Sequence, residues 1–94
     1  MNSKIIEKIK CDDILSKIIA SFDNNIYLVG GTVRDFYLGN DSVDRDIIVM
    51  DEDARKFALK LAEFFNAAFV PLDEENKIYR LVMRDKINYI DITN

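Results

Sequence analysis

Residues 28–49 read LVGGTVRDFYLGNDSVDRDIIV, and this stretch joins two short apolar runs through a glycine pair and a polar loop. The first run, residues 26–29, is rich in strand-forming residues and stops at the glycines. Residues 32–38 then carry apolar side chains at helical spacing, and Gly39 stands where a left-handed C-cap is expected. Residues 44–50, DRDIIVM, are predicted to form a second strand. The stretch therefore predicts a strand, a helix and a second strand in succession.

The flanking sequence adds helices before this stretch and a helix with strands after it. Residues 1–25 form a helical segment, because isoleucines and leucines recur there at helical spacing. Asp12 and Asp13 interrupt the apolar stripe and can cap a second helix. The clearest helix covers residues 54–65, where alanines, leucines and phenylalanines form one apolar face. Further strands are predicted at residues 67–72, 78–84 and 87–93, with a tight turn at Asp85-Lys86 between the last two.

This order of elements indicates the α+β fold class. We expect a mixed or mostly antiparallel sheet of about five strands with helices packed on it. A chain of 94 residues is enough for one small domain. That domain would consist of an N-terminal helical segment, residues 1–25, and a sheet with two helices, residues 26–94. We interpret Phe36 and Tyr37 as core residues.

The composition excludes several function classes. Of the residues, 49% are hydrophobic and 32% charged, which is typical of a soluble globular protein. The net charge of −4 argues against a nucleic-acid binder held by bulk charge alone. The chain has no histidine and one cysteine, which excludes His-based catalysis, an internal disulfide and Cys-cluster zinc sites. No apolar run approaches the roughly 20 residues that cross a bilayer, so we expect no membrane contact and a cytoplasmic location.

The glycine pair is the first feature that carries chemistry. Glycines allow the backbone to approach a ligand closely, and a helix N-terminus presents N–H groups to an anion. Arg34 lies one turn into the predicted helix and can add a charged fork to phosphate oxygens. Gly30, Gly31 and Arg34 are therefore candidate phosphate-binding residues. The alternative interpretation is a tight turn that needs a positive φ.

The acidic pair Asp44 and Asp46 is the second feature. Side chains alternate along a strand, so the two carboxylates share one face with Cα atoms roughly 6.6 Å apart, and Arg45 points to the other face. Two carboxylates so placed repel each other unless a cation lies between them, and their oxygens suit Mg²⁺. The alternative is a solvated strand end, where Arg45 neutralises its two neighbours.

Asp91 is the third feature. It shares a strand face with Tyr89 and Thr93, and a charge in mid-strand is disfavoured by strand preference. It lies either on the exposed face of an antiparallel sheet, or opposite the first two acids as a third carboxylate. Together, the three features indicate a phosphate at a helix N-terminus and a divalent metal on two or three carboxylates. That combination fits phosphoryl or nucleotidyl transfer.

Four basic residues give the last part of the chain a local excess of positive charge. Their side chains could guide RNA or a triphosphate toward the acidic residues. Alternatively, they form the solvated face of a hairpin, as charged strand faces usually do. These residues are Lys77, Arg80, Arg84 and Lys86.

One wider pattern includes the first two features. It reads Leu28-Val29-Gly30-Gly31-x-Val33-Arg34-Asp35-x-x-Leu38-Gly39, followed by Asp44-x-Asp46. This pattern resembles the head-domain motif of bacterial-type CCA-adding tRNA nucleotidyltransferases and bacterial poly(A) polymerases, which belong to the DNA polymerase beta-like nucleotidyltransferase superfamily. The resemblance implies a nucleotidyltransferase-type fold. It also implies nucleotide-binding residues at Gly30, Gly31 and Arg34, and catalytic Mg²⁺ ligands at Asp44, Asp46 and, by context, Asp91.

The resemblance further implies an activity and its partners. The expected reaction is metal-dependent nucleotidyl transfer from ATP or CTP to an RNA 3′-hydroxyl, in the first place CCA addition at the tRNA 3′ end. Family members continue well beyond their head domain, so we expect this chain to be a head domain truncated from a longer protein, weakly active or inactive when isolated. Three alternatives stay open: a non-catalytic nucleotide-binding or regulatory module of the same fold, a bacterial poly(A) polymerase, and a small interaction domain with an accidental motif match.

Overall fold

The computed structural model describes residues 3–94, so the first two residues of the predicted N-terminal helical segment lie outside the described residues. The predicted α+β class is confirmed, and the helical segment is divided near Asp12, as expected. The elements are α1 (Ser3–Cys11), α2 (Asp13–Ser21), β1 (Ile26–Val29), α3 (Gly30–Tyr37), β2 (Asp44–Val49), α4 (Ala54–Phe65), β3 (Ala68–Asp73), β4 (Ile78–Val82) and β5 (Tyr89–Thr93).

The strands form one five-stranded mixed sheet in the order β1-β2-β5-β4-β3. The β2–β5 pair is parallel, and the other three neighbouring pairs are antiparallel. The parallel pair requires a long connection, which here contains α4, β3 and β4. As a result, β2 and β5 are adjacent at the centre of the sheet although they are far apart in sequence.

The core lies on one face of the sheet. Burial alternates along β2, β4 and β5, so each strand sends every second side chain into the core. Helix α4 packs on β2, β3, β4 and β5 through the apolar face that its sequence predicts. No helix in the described part of the chain is long and apolar enough to span a membrane. The fully buried side chains include Leu15, Ile18, Phe36, Ile47, Phe57, Leu61, Tyr79, Leu81, Ile90 and Ile92.

Local side-chain chemistry sets several element ends. The Asp12 side chain caps α2 by accepting a 2.8 Å hydrogen bond from the Leu15 N–H. Gly39, past the end of α3, has φ +79, the left-handed conformation expected for it. The predicted core position of Tyr37 is wrong, because its side chain is exposed. Of the predicted aromatic pair, only Phe36 lies in the core.

The β4–β5 hairpin is shorter than predicted. Strand β4 ends at Val82 and strand β5 begins at Tyr89, so the turn is not confined to Asp85-Lys86. The Asp85 carboxylate accepts hydrogen bonds from the Ile87 and Asn88 N–H groups, at 2.8 and 2.9 Å. Aspartate side chains compete with strand ladders in this way, because they satisfy backbone donors within a turn.

Arg45 points away from its acidic neighbours and is 6% exposed. Its Nε and Nη2 donate to the Asp12 carboxylate, with 2.7 Å between Nη2 and Oδ2. Its Nη1 donates to the Val43 carbonyl and to Asn88 Oδ1, at 2.9 and 2.8 Å. The alternative interpretation, in which Arg45 neutralises its two neighbours, is therefore wrong. Instead, Arg45 joins the helical segment, β2 and the β4–β5 loop.

Replacement of Arg45 should destabilise the whole domain. Arg45→Met leaves the Asp12 carboxylate buried and unpaired, which costs about 3–5 kcal/mol of unfolding free energy. Urea unfolding followed by circular dichroism measures the change. The matched control is Lys8→Met, which removes the exposed Lys8–Asp41 pair and should have no measurable effect. Equal stability of the two variants would contradict the prediction.

Candidate functional site

The three predicted acids lie on the partly exposed face of the sheet, opposite the core. Asp44 and Asp46 share this face of β2. Asp91 lies on the same face of the adjacent strand β5, directly beside Asp46 in the parallel register. A pocket of about 210 Å³ is lined by Asp46 and Asp91 together with Val29, Ile78 and Thr93. Of the two interpretations of Asp91, the structure supports the one that places it beside the acidic pair.

Thr32 holds the acidic strand against helix α3, and the sequence analysis did not identify it. Strand β1 ends at Val29, opposite Asp46, so no β1 residue lies opposite Asp44. The completely buried Thr32 hydroxyl donates to the Asp44 carbonyl at 3.0 Å and accepts from the Asp46 N–H at 2.9 Å. One side chain thereby satisfies backbone groups at both acids and fixes their distance from the start of α3. A threonine three residues beyond a strand end was the only sequence signal.

Ser42 is a second residue that sequence analysis missed. Its buried hydroxyl lies 2.6 Å from the Asp44 carbonyl oxygen and 3.0 Å from Asp44 Oδ1. A hydroxyl has a single proton, so this proton serves both acceptors. The contact orients the Asp44 carboxylate and leaves Oδ2 outside it.

The two glycines differ in their structural requirements. Gly30 has φ +64, and a Cβ placed there would lie 2.9 Å from Asp46 Oδ2. The turn interpretation therefore accounts for Gly30, which also makes room for the Asp46 carboxylate. A Cβ at Gly31 would meet only Arg34 Nη2, at an ordinary 3.5 Å, and Gly31 has no positive φ. The turn alone gives no reason for a second glycine.

The start of α3 is open to a ligand. The N-cap residue Val29 forms no side-chain cap hydrogen bond, and Gly30 and Gly31 are the first two helical residues. The Arg34 side chain is 74% exposed, and its nearest acidic partner, Asp35 Oδ1, is 3.7 Å from Nε. The guanidinium is therefore held only weakly and can reorient toward an anion.

Negative charge is concentrated where the acids meet. Burial raises the pKa of the Asp46 carboxyl, and the charges of Asp91 and Asp44 raise it further. Arg80 opposes this shift from strand β4, which lies on the other side of β5. Arg80 Nε and Nη2 donate to both Asp91 oxygens, at 2.8 and 2.9 Å.

The donor set fits a hard divalent cation in its chemistry, because all the ligands are carboxylate oxygens. Within the described residues, however, no three acidic or cysteine side chains are grouped closely enough to hold a metal ion. The Asp91 oxygens are already occupied by the Arg80 guanidinium. Metal binding by Asp44, Asp46 and Asp91 therefore stays a prediction.

Two members of the basic group are engaged in ion pairs. Lys77 pairs with Asp53, the N-cap of α4, and Arg80 pairs with Asp91. Arg84 and Lys86 lie exposed in the β4–β5 loop. The four basic residues therefore do not form one continuous cationic surface, which favours the solvated-hairpin interpretation for most of them.

A five-stranded mixed sheet with helices packed on it, and paired acids beside a glycine turn, define a nucleotidyltransferase-type fold. A sequence model described as the Poly A polymerase head domain matches residues 26–94. The chain therefore belongs to this family, and the resemblance found in the sequence is confirmed. A search of curated proteins found no match.

Solved structures of CCA-adding enzymes are similar to this chain. A CCA-adding enzyme in complex with CTP is 27% identical, with a TM-score of 0.72 over 95% of this chain and 22% of that one. The Thermotoga maritima CCA-adding enzyme complexed with tRNA is 28% identical, with a TM-score of 0.67 over 99% and 21%. A tRNA nucleotidyltransferase with a primer tRNA and an incoming ATP analog is 27% identical, with a TM-score of 0.63 over 82% and 21%. The chain thus spans about a fifth of the length of these relatives.

Alanine at Gly30 should destabilise the domain and displace Asp46. The substitution combines a strained φ with a clash against Oδ2, and we expect a loss of about 2–3 kcal/mol in unfolding free energy. Urea unfolding measures the loss, and NMR shifts at Asp46 report the displacement.

The other glycines separate the two causes. Gly39→Ala has the same strain at φ +79 but meets nothing within 4 Å, so it should cost less. Gly31→Ala has neither a positive φ nor a close contact, so it should leave the unfolding free energy nearly unchanged. If Gly30→Ala is no more destabilising than Gly39→Ala, contact with Asp46 has no energetic role.

Asp46→Asn should stabilise the metal-free domain at neutral pH. The raised folded-state pKa means that ionised Asp46 lowers the unfolding free energy at pH values above that pKa. This cost decreases as the pH falls through the folded pKa and is absent below the unfolded value of about 3.9. The stability gain of the variant should therefore shrink toward acid pH in urea unfolding with EDTA. The control is Asp23→Asn, at an exposed position, and a gain independent of pH would contradict the prediction.

Proposed function

We propose that this domain is the catalytic head of a tRNA nucleotidyltransferase that transfers a nucleotidyl group from ATP or CTP to an RNA 3′-hydroxyl. The observation that carries the proposal is the placement of Asp44, Asp46 and Asp91 on one face of adjacent strands, next to the start of α3. An open helix N-terminus beside clustered carboxylates matches the two charges of the substrate, a polyanionic triphosphate and its accompanying cation.

The residues of this chain would divide the work between binding and orientation. The N–H groups at Gly30 and Gly31, together with the exposed Arg34, would hold the triphosphate and align its α-phosphate for attack. Asp44, Asp46 and Asp91 would hold Mg²⁺, which lowers the pKa of an attacking hydroxyl and neutralises charge on the pyrophosphate leaving group. Thr32 fixes the backbone of Asp44 and Asp46 relative to α3, and Ser42 orients the Asp44 carboxylate.

The similar structures support the substrate class. One was solved with CTP, one with an incoming ATP analog and primer tRNA, and one with tRNA. We therefore propose CCA addition to tRNA as the reaction of the whole protein. The net charge of −4 fits a domain that binds a triphosphate through a few residues rather than tRNA through bulk charge.

A bacterial poly(A) polymerase is the second candidate, because the matching family model carries that description. Both candidates use the same head chemistry and differ in the RNA acceptor and in base selection. The two candidates are separated by offering the whole protein either a tRNA that lacks its terminal CCA or an oligo(A) primer, and by identifying the labelled product that forms.

Nucleotide binding is the direct test of the site. We expect Mg²⁺-ATP and Mg²⁺-CTP to shift the amide NMR signals of residues 30–34 and 44–46. Binding should weaken more than about tenfold in Asp44→Asn or Asp46→Asn, because loss of even an indirect partner of a metal costs 10–100-fold. Asp23→Asn is the matched control and should bind as the parent does.

Two results would contradict the proposal. Nucleotide shifts that persist in both aspartate variants would indicate a nucleotide-binding module that does not use the carboxylates. An absence of shifts at millimolar nucleotide, with the fold intact, would indicate that the motif is structural in this chain.

A further inference from the structure

Among the residues that the structure describes, Arg80–Asp91 is the one ion pair that involves a proposed metal ligand. The two residues lie directly opposite each other on the antiparallel strands β4 and β5. Arg80 donates from Nε and Nη2 to the two Asp91 oxygens, at 2.8 and 2.9 Å, so the pair is bidentate. The side chains are only 35% and 20% exposed, so water screens the pair less than it screens a surface ion pair.

The guanidinium is itself fixed in place. Its central carbon lies 4.3 Å from the centre of the Tyr89 ring, which forms a cation–π contact. The hydrogen bonds that Arg80 donates to Asp91 raise the pKa of Arg80, and the negative charges of Asp91 and Asp44 add to the rise. Arg80 therefore faces the whole acidic group, but it satisfies the oxygens of one member.

We propose that Arg80 is a positioning residue that competes with a divalent cation for Asp91. This inference rests on the proposed function, because it concerns the metal ligands of that site. A carboxylate with both oxygens in a bidentate pair cannot ligate a metal until at least one hydrogen bond breaks. Asp44 and Asp46 would therefore receive the cation first, and Asp91 would join them only after Arg80 is displaced.

The pair also explains the geometry that the structure shows. Three carboxylates on one face repel each other, and Arg80 reduces this repulsion because it neutralises the charge of Asp91. The repulsion between Asp46 and Asp91, which are direct partners in the β2–β5 register, decreases most. The acids therefore stay close together without forming a three-ligand group.

The test measures binding of Mn²⁺ alone to the 94-residue chain. The EPR signal of free Mn²⁺ is the readout. Arg80→Met should bind Mn²⁺ about tenfold more tightly than the parent, because no charged hydrogen bonds have to be broken first. Arg80→Lys keeps the charge but lacks the planar fork, so it should lie between the two. If Arg80→Met does not fold, the lysine variant still gives the sign of the effect.

A double-mutant cycle with Asp91→Asn separates competition from general repulsion. If Arg80 acts through Asp91, most of the gain from Arg80→Met should disappear in the Asp91→Asn background, which leaves only the smaller effect of the Arg80 charge on Asp44 and Asp46. An equal gain in both backgrounds would overturn the proposal, because Arg80 would then act only by its charge. Weaker or unchanged binding by Arg80→Met in the parent background would also overturn it.

Mn²⁺ binding by Asp46→Asn distinguishes failure of the proposed role of Arg80 from failure of the proposed function. If the parent binds Mn²⁺ in a manner that Asp46→Asn abolishes, and Arg80 variants do not tighten it, only the role of Arg80 is refuted. If neither the parent nor Arg80→Met shows binding that depends on Asp46, both the metal site and the inference are refuted.

Discussion

The hydroxyl of Thr32 joins the two halves of the candidate site. It accepts from Asp46 N–H and donates to the Asp44 carbonyl, at the point where strand β1 has already turned into helix α3. Without it, the Asp46 N–H would lose this acceptor, the Asp44 carbonyl would keep its hydrogen bond from Ser42, and the acids and the helix N-terminus could shift relative to each other. In the proposed function, this contact sets the spacing between the anion site at α3 and the cation site at β2, which a substrate that carries both charges must meet together.

The acidic site is maintained at a cost in stability. Asp46 lies partly buried beside two like charges, which raises its pKa and disfavours its ionised form. The surrounding structure limits this cost at the other two acids: Ser42 donates to Asp44, and Arg80 binds Asp91. Neither contact reaches Asp46, the central member of the group. Partly buried carboxylates that repel each other are common at functional sites, which agrees with the proposed role of these acids.

Sequence analysis correctly predicted the features that depend on residues close together in the chain. Period-2 alternation placed Asp44 and Asp46 on one face, and the glycine and Asp12 positions set turns and caps. It missed contacts that depend on long-range register. Arg80 meets Asp91 because of how β4 pairs with β5, and the partner of Arg45 lies 33 residues away. The two strands of the hairpin were predicted too long, because strand propensity takes no account of the competing hydrogen bonds that Asp85 accepts.

The Asp-Arg-Asp tripeptide of β2 shows how fold and site share one strand. Alternation sends Asp44 and Asp46 to the open face and Arg45 to the buried face, where it binds Asp12. Arg45 holds the helical segment and the β4–β5 loop against the strand, so it also holds the strand that carries the acids. Because strand side chains alternate strictly, an insertion or register slip of one residue would bury both acids and expose the arginine. The fold and the site would therefore be lost together, because both depend on the alternation of this one strand.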